Sequence, residues 1–154
     1  MRAGVEGFGG VPHRLELVRT WGGAAWYNDS IATAPERAIA AICAFDEPLV
    51  LLLGGRDKKL PWDELATLIH QRVDHVILFG EAADLIERAI RSQASERPYT
   101  LARCEDLRQA VQAVAEVVEP GDVVLLSPGG TSFDAFRDFA ERGEQYRLWV
   151  NELS

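Results

Sequence analysis

Four short segments hold the side chains that could do chemistry. They are Val11-Pro12-His13-Arg14, Asn28-Asp29-Ser30-Ile31-Ala32-Thr33, Gly54-Gly55-Arg56-Asp57-Lys58 and Ser127-Pro128-Gly129-Gly130-Thr131-Ser132-Phe133-Asp134. Paired glycines let a backbone turn tightly and approach a ligand. If a helix starts at Thr131 or Ser132, its unpaired N–H groups and the positive end of its dipole suit a carboxylate or phosphate. Thr131 with Asp134 equally fits a capping box that needs no ligand. Lys58 is either a cation that fixes a carboxylate or one charge of a solvated turn. Asn28, Asp29, Ser30 and Thr33 also suit a turn and helix cap before Pro35.

The bulk composition narrows the chemistry. The chain has 154 residues, 47% of them hydrophobic and 26% charged, which fits one soluble domain with one core. A net charge of −8 argues against a nucleic-acid or anionic-membrane surface. Cys43 and Cys104 match no metal spacing and no disulfide framework, and His13, His70 and His75 are scattered, so no metal site is expected. Cys43 is expected to be buried on an apolar helix face. The apolar runs are too short to span a bilayer and the N-terminus has no signal-like region, which points to the cytoplasm. No G-x-x-x-x-G-K-[ST] phosphate loop occurs, and Gly7-Phe8-Gly9-Gly10 leads into Val11-Pro12 rather than a helix.

The elements that must position these segments are set by periodicity. Leu15–Thr20 and Ala24–Asn28 read as a hairpin joined by Trp21-Gly22-Gly23. Pro35 opens a helix with Ile39, Ile42 and Cys43 on one face. Strands are expected at Leu49–Leu53, Val76–Phe79, Tyr99–Ala102 and Val123–Leu126. Helices are expected at Trp62–Gln71, Glu81–Ser92 and Glu105–Val118. A last helix, capped by Thr131 or Ser132, is expected to hold Phe133, Phe136 and Phe139. This alternation predicts an α/β, three-layer, Rossmann-like domain. Its six-stranded sheet is mostly parallel, with one antiparallel strand from the N-terminal hairpin. In such a sheet, ligands bind beyond the carboxyl ends of the strands, where three of the four segments fall. Residues 1–10 begin no clear element and read as the tail of a preceding domain plus a hinge.

Taken together and in order, the four segments resemble the C-terminal domain of the Mur ligase family, in particular its D-glutamate-adding members. The resemblance runs from about Phe8 to Leu153. It implies residues 1–10 as the end of a central domain and 11–154 as the amino-acid-binding domain. The whole enzyme would be an ATP- and Mg2+-dependent ligase joining D-glutamate to UDP-N-acetylmuramoyl-L-alanine in peptidoglycan synthesis. It would work as a monomer with its own N-terminal and central domains, which would hold the metal ligands, and this chain alone would be inactive. By the same resemblance, Thr33, Lys58, Ser132, Phe133 and Phe139 would form the D-glutamate pocket, and His13, Arg14 and Asp29 would meet ATP. The family pattern Asp-Ser-Lys-Ala-Thr-Asn here reads Asp29-Ser30-Ile31-Ala32-Thr33-Ala34, so a cation is lost at Ile31. Arg14 and Arg56 are the candidates to replace it. Two other readings are a folylpolyglutamate-synthetase-like ligase domain and a stand-alone, non-catalytic Rossmann-like binding module.

Overall fold

A computed structural model describes residues 12–95 and 97–154; the expected tail at 1–10 lies outside the described residues. The strands are β1 (Glu16–Trp21), β2 (Ala24–Asn28), β3 (Leu49–Gly54), β4 (Val73–Phe79), β5 (Thr100–Arg103) and β6 (Val123–Gly129). The helices are α1 (Pro35–Cys43), α2 (Asp63–Arg72), α3 (Ala83–Arg91), α4 (Leu107–Val117) and α5 (Phe139–Asn151). The sheet order is β1-β2-β6-β3-β4-β5, with β1 antiparallel to β2 and the other pairs parallel. The expected α/β architecture is therefore present.

The sheet is covered on both faces, which is why β3 reads as an unbroken apolar run. Leu49, Leu51 and Leu53 pack with Ile42, Leu65, Ile69, Ile86 and Ile90 of α1, α2 and α3. Val50 and Leu52 point the other way, into the layer formed with Val111 and Val114 of α4 and Tyr146 and Val150 of α5. The period of two along β3 thus divides one sequence run between two cores. Outside β2, the edge strand β1 holds the end of the last helix. Arg19 donates to the carbonyls of Val150 and Leu153, both at 3.1 Å. These carbonyls lie at and just beyond the C-terminal end of α5, where backbone acceptors outnumber intrahelical donors.

Two sequence expectations are corrected. The helix predicted after Thr131 or Ser132 does not start there: α5 begins at Phe139, and Asp138 caps it by accepting from Glu141 N–H. Residues 132–138 form a bent segment with a single turn on Ser132, whose carbonyl accepts from Ala135 and Phe136 N–H. The Asp134 carboxylate does not complete a capping box; it accepts from Glu81 N–H across the sheet edge. Second, Cys43 is exposed, because the buried stripe of α1 runs through Ala38, Ala41 and Ile42 and stops short of it.

Candidate functional site: three loops at one sheet edge

The carboxyl ends of β2, β6 and β3 are neighbours, so the loops that leave them meet. Backbone hydrogen bonds join them directly. Asp29 N–H donates to Leu126 C=O at 2.7 Å, and Gly129 N–H donates to Ala32 C=O at 2.9 Å. Arg56 and Thr131 exchange both of their backbone bonds, each at 2.8 Å. Between Leu52 and Gly54 on β3, the matching residues of β6 run from Leu126 to Gly129, so β6 carries one extra residue. Such a bulge bends a strand and re-aims the residues beyond it. Gly55 makes the crossing feasible. Its φ is +102°, and a Cβ there would overlap the Thr131 carbonyl.

The expected site residues divide by position. Lys58 is exposed, two residues beyond the Arg56–Thr131 pairing, and Ser132 is one residue beyond it on the other strand. Ser132 is only 1% exposed, whereas Phe133 is 61% exposed. Thr33 is half-buried, one residue from the Ala32–Gly129 bond. Phe139 is half-buried and meets the His13 ring edge-on, with centroids 6.1 Å apart. Lys58, Ser132 and Thr33 are therefore brought to one edge, while Phe139 belongs to the packing around His13.

His13 is a buried residue rather than an exposed one. Asn28 donates to its Nδ1 at 3.0 Å, which leaves the other ring nitrogen toward Glu144, 3.6 Å away. The peptide here is strained: φ is +64° at His13 and +45° at Leu15. Asp29 clamps it. One carboxylate oxygen accepts from Leu15 N–H at 3.1 Å and the other from the Ser127 hydroxyl at 2.8 Å. Burial pushes the Asp29 carboxyl up from 3.8 to about 6, against these bonds and the nearby charges of Arg14 and Arg37.

Beside this clamp lies a groove lined by Arg14, Asp29, Ile31, Ala32 and Arg37, with the small side chains of α1 as its floor. Arg37 is exposed on the first turn of α1. Sequence reasoning missed it, although an arginine two residues after a helix-opening proline is a visible signal. Arg56 turns away instead, pairing with Glu81 at 3.0 Å.

The second missed residue is Arg142. It sits in α5, is 0% exposed, and binds both the Asp29–Thr33 and the Gly129–Ser132 loops. The adjacent Gly143 was also missed. Its bare Cα admits the His13 ring and the Asn28 amide against α5. A glycine inside an otherwise helical run costs ~1 kcal/mol relative to alanine, so it signals close packing.

The profile described as "Mur ligase, glutamate ligase domain" matches residues 13–130. The chain belongs to the Mur ligase family. It is 44% identical over its whole length to the UDP-N-acetylmuramoylalanine–D-glutamate ligase of Symbiobacterium thermophilum, covering 33% of that protein. Likewise it is 47% identical, over its whole length, to the ligase of the same name from Roseiflexus sp., again covering 33%. The chain thus spans about a third of the length of the curated relatives it matches. Among solved structures it is similar to the murein peptide ligase Mpl of Psychrobacter arcticus, with a TM-score of 0.64 and 13% identity over 92% of this chain and 30% of that one. It is also similar to a UDP-N-acetylmuramoyl-L-alanyl-D-glutamate–2,6-diaminopimelate ligase, with a TM-score of 0.60 and 18% identity over 92% and 32%. At these identities the two structures speak for the Mur ligase fold alone. Among the described residues, no helix is long and apolar enough to cross a membrane.

Proposed function

We propose that this chain is the amino-acid-binding domain of a cytoplasmic, ATP-dependent ligase that joins D-glutamate to UDP-N-acetylmuramoyl-L-alanine. Residues 1–10 would be the end of the preceding domain and 11–154 the binding domain itself. The observation that carries this reading is the hydrogen-bonded junction of three loops at one sheet edge. That junction gathers Lys58, Ser132 and Thr33 beside a groove carrying two arginines. The names of the full-length relatives support the same substrate.

The residues present fit a share of an ATP site and no more. Arg14 and Arg37 line the groove and suit phosphate oxygens, and Arg37 on α1 takes up the charge absent at Ile31. Arg56, held by Glu81, is the weaker substitute. Among the described residues, no three His, Cys, Asp or Glu side chains gather as a metal site; by the family resemblance the magnesium ligands would belong to the other domains. When bound, ATP supplies the phosphoryl group that activates the acceptor carboxylate.

The chain's own work is binding and orientation. Lys58 would take a D-glutamate carboxylate as a point charge, and Thr33 and Ser132 would add hydroxyl donors. This places the amine for attack on the activated carbonyl, where holding two reactants in register removes much of the entropic barrier. Ser132 is buried and the neighbouring Phe133 exposed, so a ligand that reaches the Ser132 hydroxyl requires a local shift around it. Asp29 serves the nucleotide side indirectly, since one of its oxygens holds the Arg14–Leu15 peptide and the other accepts from the Ser127 hydroxyl.

The test is steady-state phosphate release by the full-length protein. It should require ATP, D-glutamate and the UDP-sugar. Losing a charge-assisted bond of roughly 1.5–3 kcal/mol should make Lys58→Ala raise the KM for D-glutamate about ten- to a hundredfold, leaving that for ATP within about twofold. Release that does not depend on D-glutamate would refute the reading.

A further inference from the structure

The geometry points to Arg142 as a positioning residue for the amino-acid substrate: its planar fork sets the separation of the two loops that carry Thr33 and Ser132. This rests on the proposed D-glutamate site. The guanidinium makes three bonds, all to those loops. Nε donates to the Ser30 hydroxyl at 3.0 Å, and one terminal nitrogen donates to the Ser30 carbonyl at 2.9 Å. The other terminal nitrogen donates to the Gly130 carbonyl at 3.0 Å. Ser30 passes the constraint back to α5, because its hydroxyl donates to the Phe139 carbonyl at 2.7 Å.

The residue is an expensive choice for a strut. Among the described residues no carboxylate forms an ion pair with it, and Asp134 reaches it only through its field. A buried guanidinium without a countercharge opposes folding unless its hydrogen bonds are good. Burial pushes it down only to about 10, so it stays charged at neutral pH. What it provides in return is shape. Five donors in a rigid plane can hold two carbonyls and a hydroxyl at fixed angles, which the rotatable point charge of lysine cannot do. The Ser30 contact lies three residues before Thr33, and the Gly130 contact two residues before Ser132. A change in the fork therefore moves both hydroxyls relative to each other.

The experiment compares Arg142→Lys, Arg142→Gln and Ser30→Ala in the full-length protein, each assayed well below its own Tm. We expect the KM for D-glutamate to rise tenfold or more in both Arg142 variants and about threefold in Ser30→Ala, which loses one arm. The KM for the UDP-sugar should stay within twofold. A purely structural role would lower Tm and leave the D-glutamate KM unchanged, which would overturn the proposal. Restoration of the wild-type KM by Arg142→Lys would also overturn it, since charge rather than fork geometry would then be what matters. If the Arg142 variants fail to fold, an unchanged D-glutamate KM in Ser30→Ala decides against it. Absence of D-glutamate dependence in the wild type would refute the parent reading instead, and is seen before any variant is made.

Discussion

Replacing Gly143 by alanine sets two known effects against each other. In an ordinary helix interior the change stabilises by ~1 kcal/mol, because glycine loses more backbone freedom on folding. Here the added Cβ would overlap His13 Nδ1 and lie 2.9 Å from Asn28 Nδ2. Neither neighbour can retreat easily. His13 is held in a left-handed backbone conformation, and its carbonyl accepts from Ile31 N–H, while Asn28 is at the buried end of β2. Overpacking at such a site costs about 1–3 kcal/mol, and the broken Asn28–His13 bond costs about 1 more. The clash therefore wins, with a net loss of about 2 kcal/mol. For a domain of this size that lowers Tm by about 4–8 °C. Thermal unfolding of the chain, monitored by circular dichroism, measures it directly. An unchanged or raised Tm would mean that His13 does not pack against α5 and that the clamp is not as described.

The same clamp gives two further predictions. Asp29 has its carboxyl raised from 3.8 to about 6, so the folded state holds the proton more tightly than the unfolded one. Its favourable contribution is full below about pH 4 and is lost as pH rises through 6, a change of about 3 kcal/mol. Urea unfolding should show wild type losing stability relative to Asp29→Asn over that window; a difference that stays flat or grows with pH refutes the burial argument. Arg14 is exposed at the groove, so Arg14→Ala in the full-length protein should depress turnover tenfold or more with Tm changed by less than about 2 °C. A large drop in Tm with normal turnover would make the residue structural.

Much of the fold was legible in the chain because its signals are local and strong. The all-apolar Leu49–Leu53 run has only one comfortable place, a central strand covered on both faces, and Pro35 can start a helix but hardly sit inside one. Alternation of such elements then leaves few topologies, so the meeting of the loops after β2, β3 and β6 could be anticipated. Where several residues satisfy the same local rule, sequence could not choose. Thr131, Ser132 and Asp138 are all competent helix caps; Asp138 won because Asp134 is drawn to the Glu81 N–H and the segment between stays bent. Cys43 and Ile42 are neighbours on one helix, and which of them faces the core depends on how α1 is rotated against the sheet. The tertiary structure alone decided the role of Arg142. An arginine among charged neighbours reads as solvent-facing, and only the approach of two distant loops supplies the carbonyls and hydroxyl that make its burial tolerable. Local preference sets what each segment can be, and contacts far apart in sequence determine which of those options is realised.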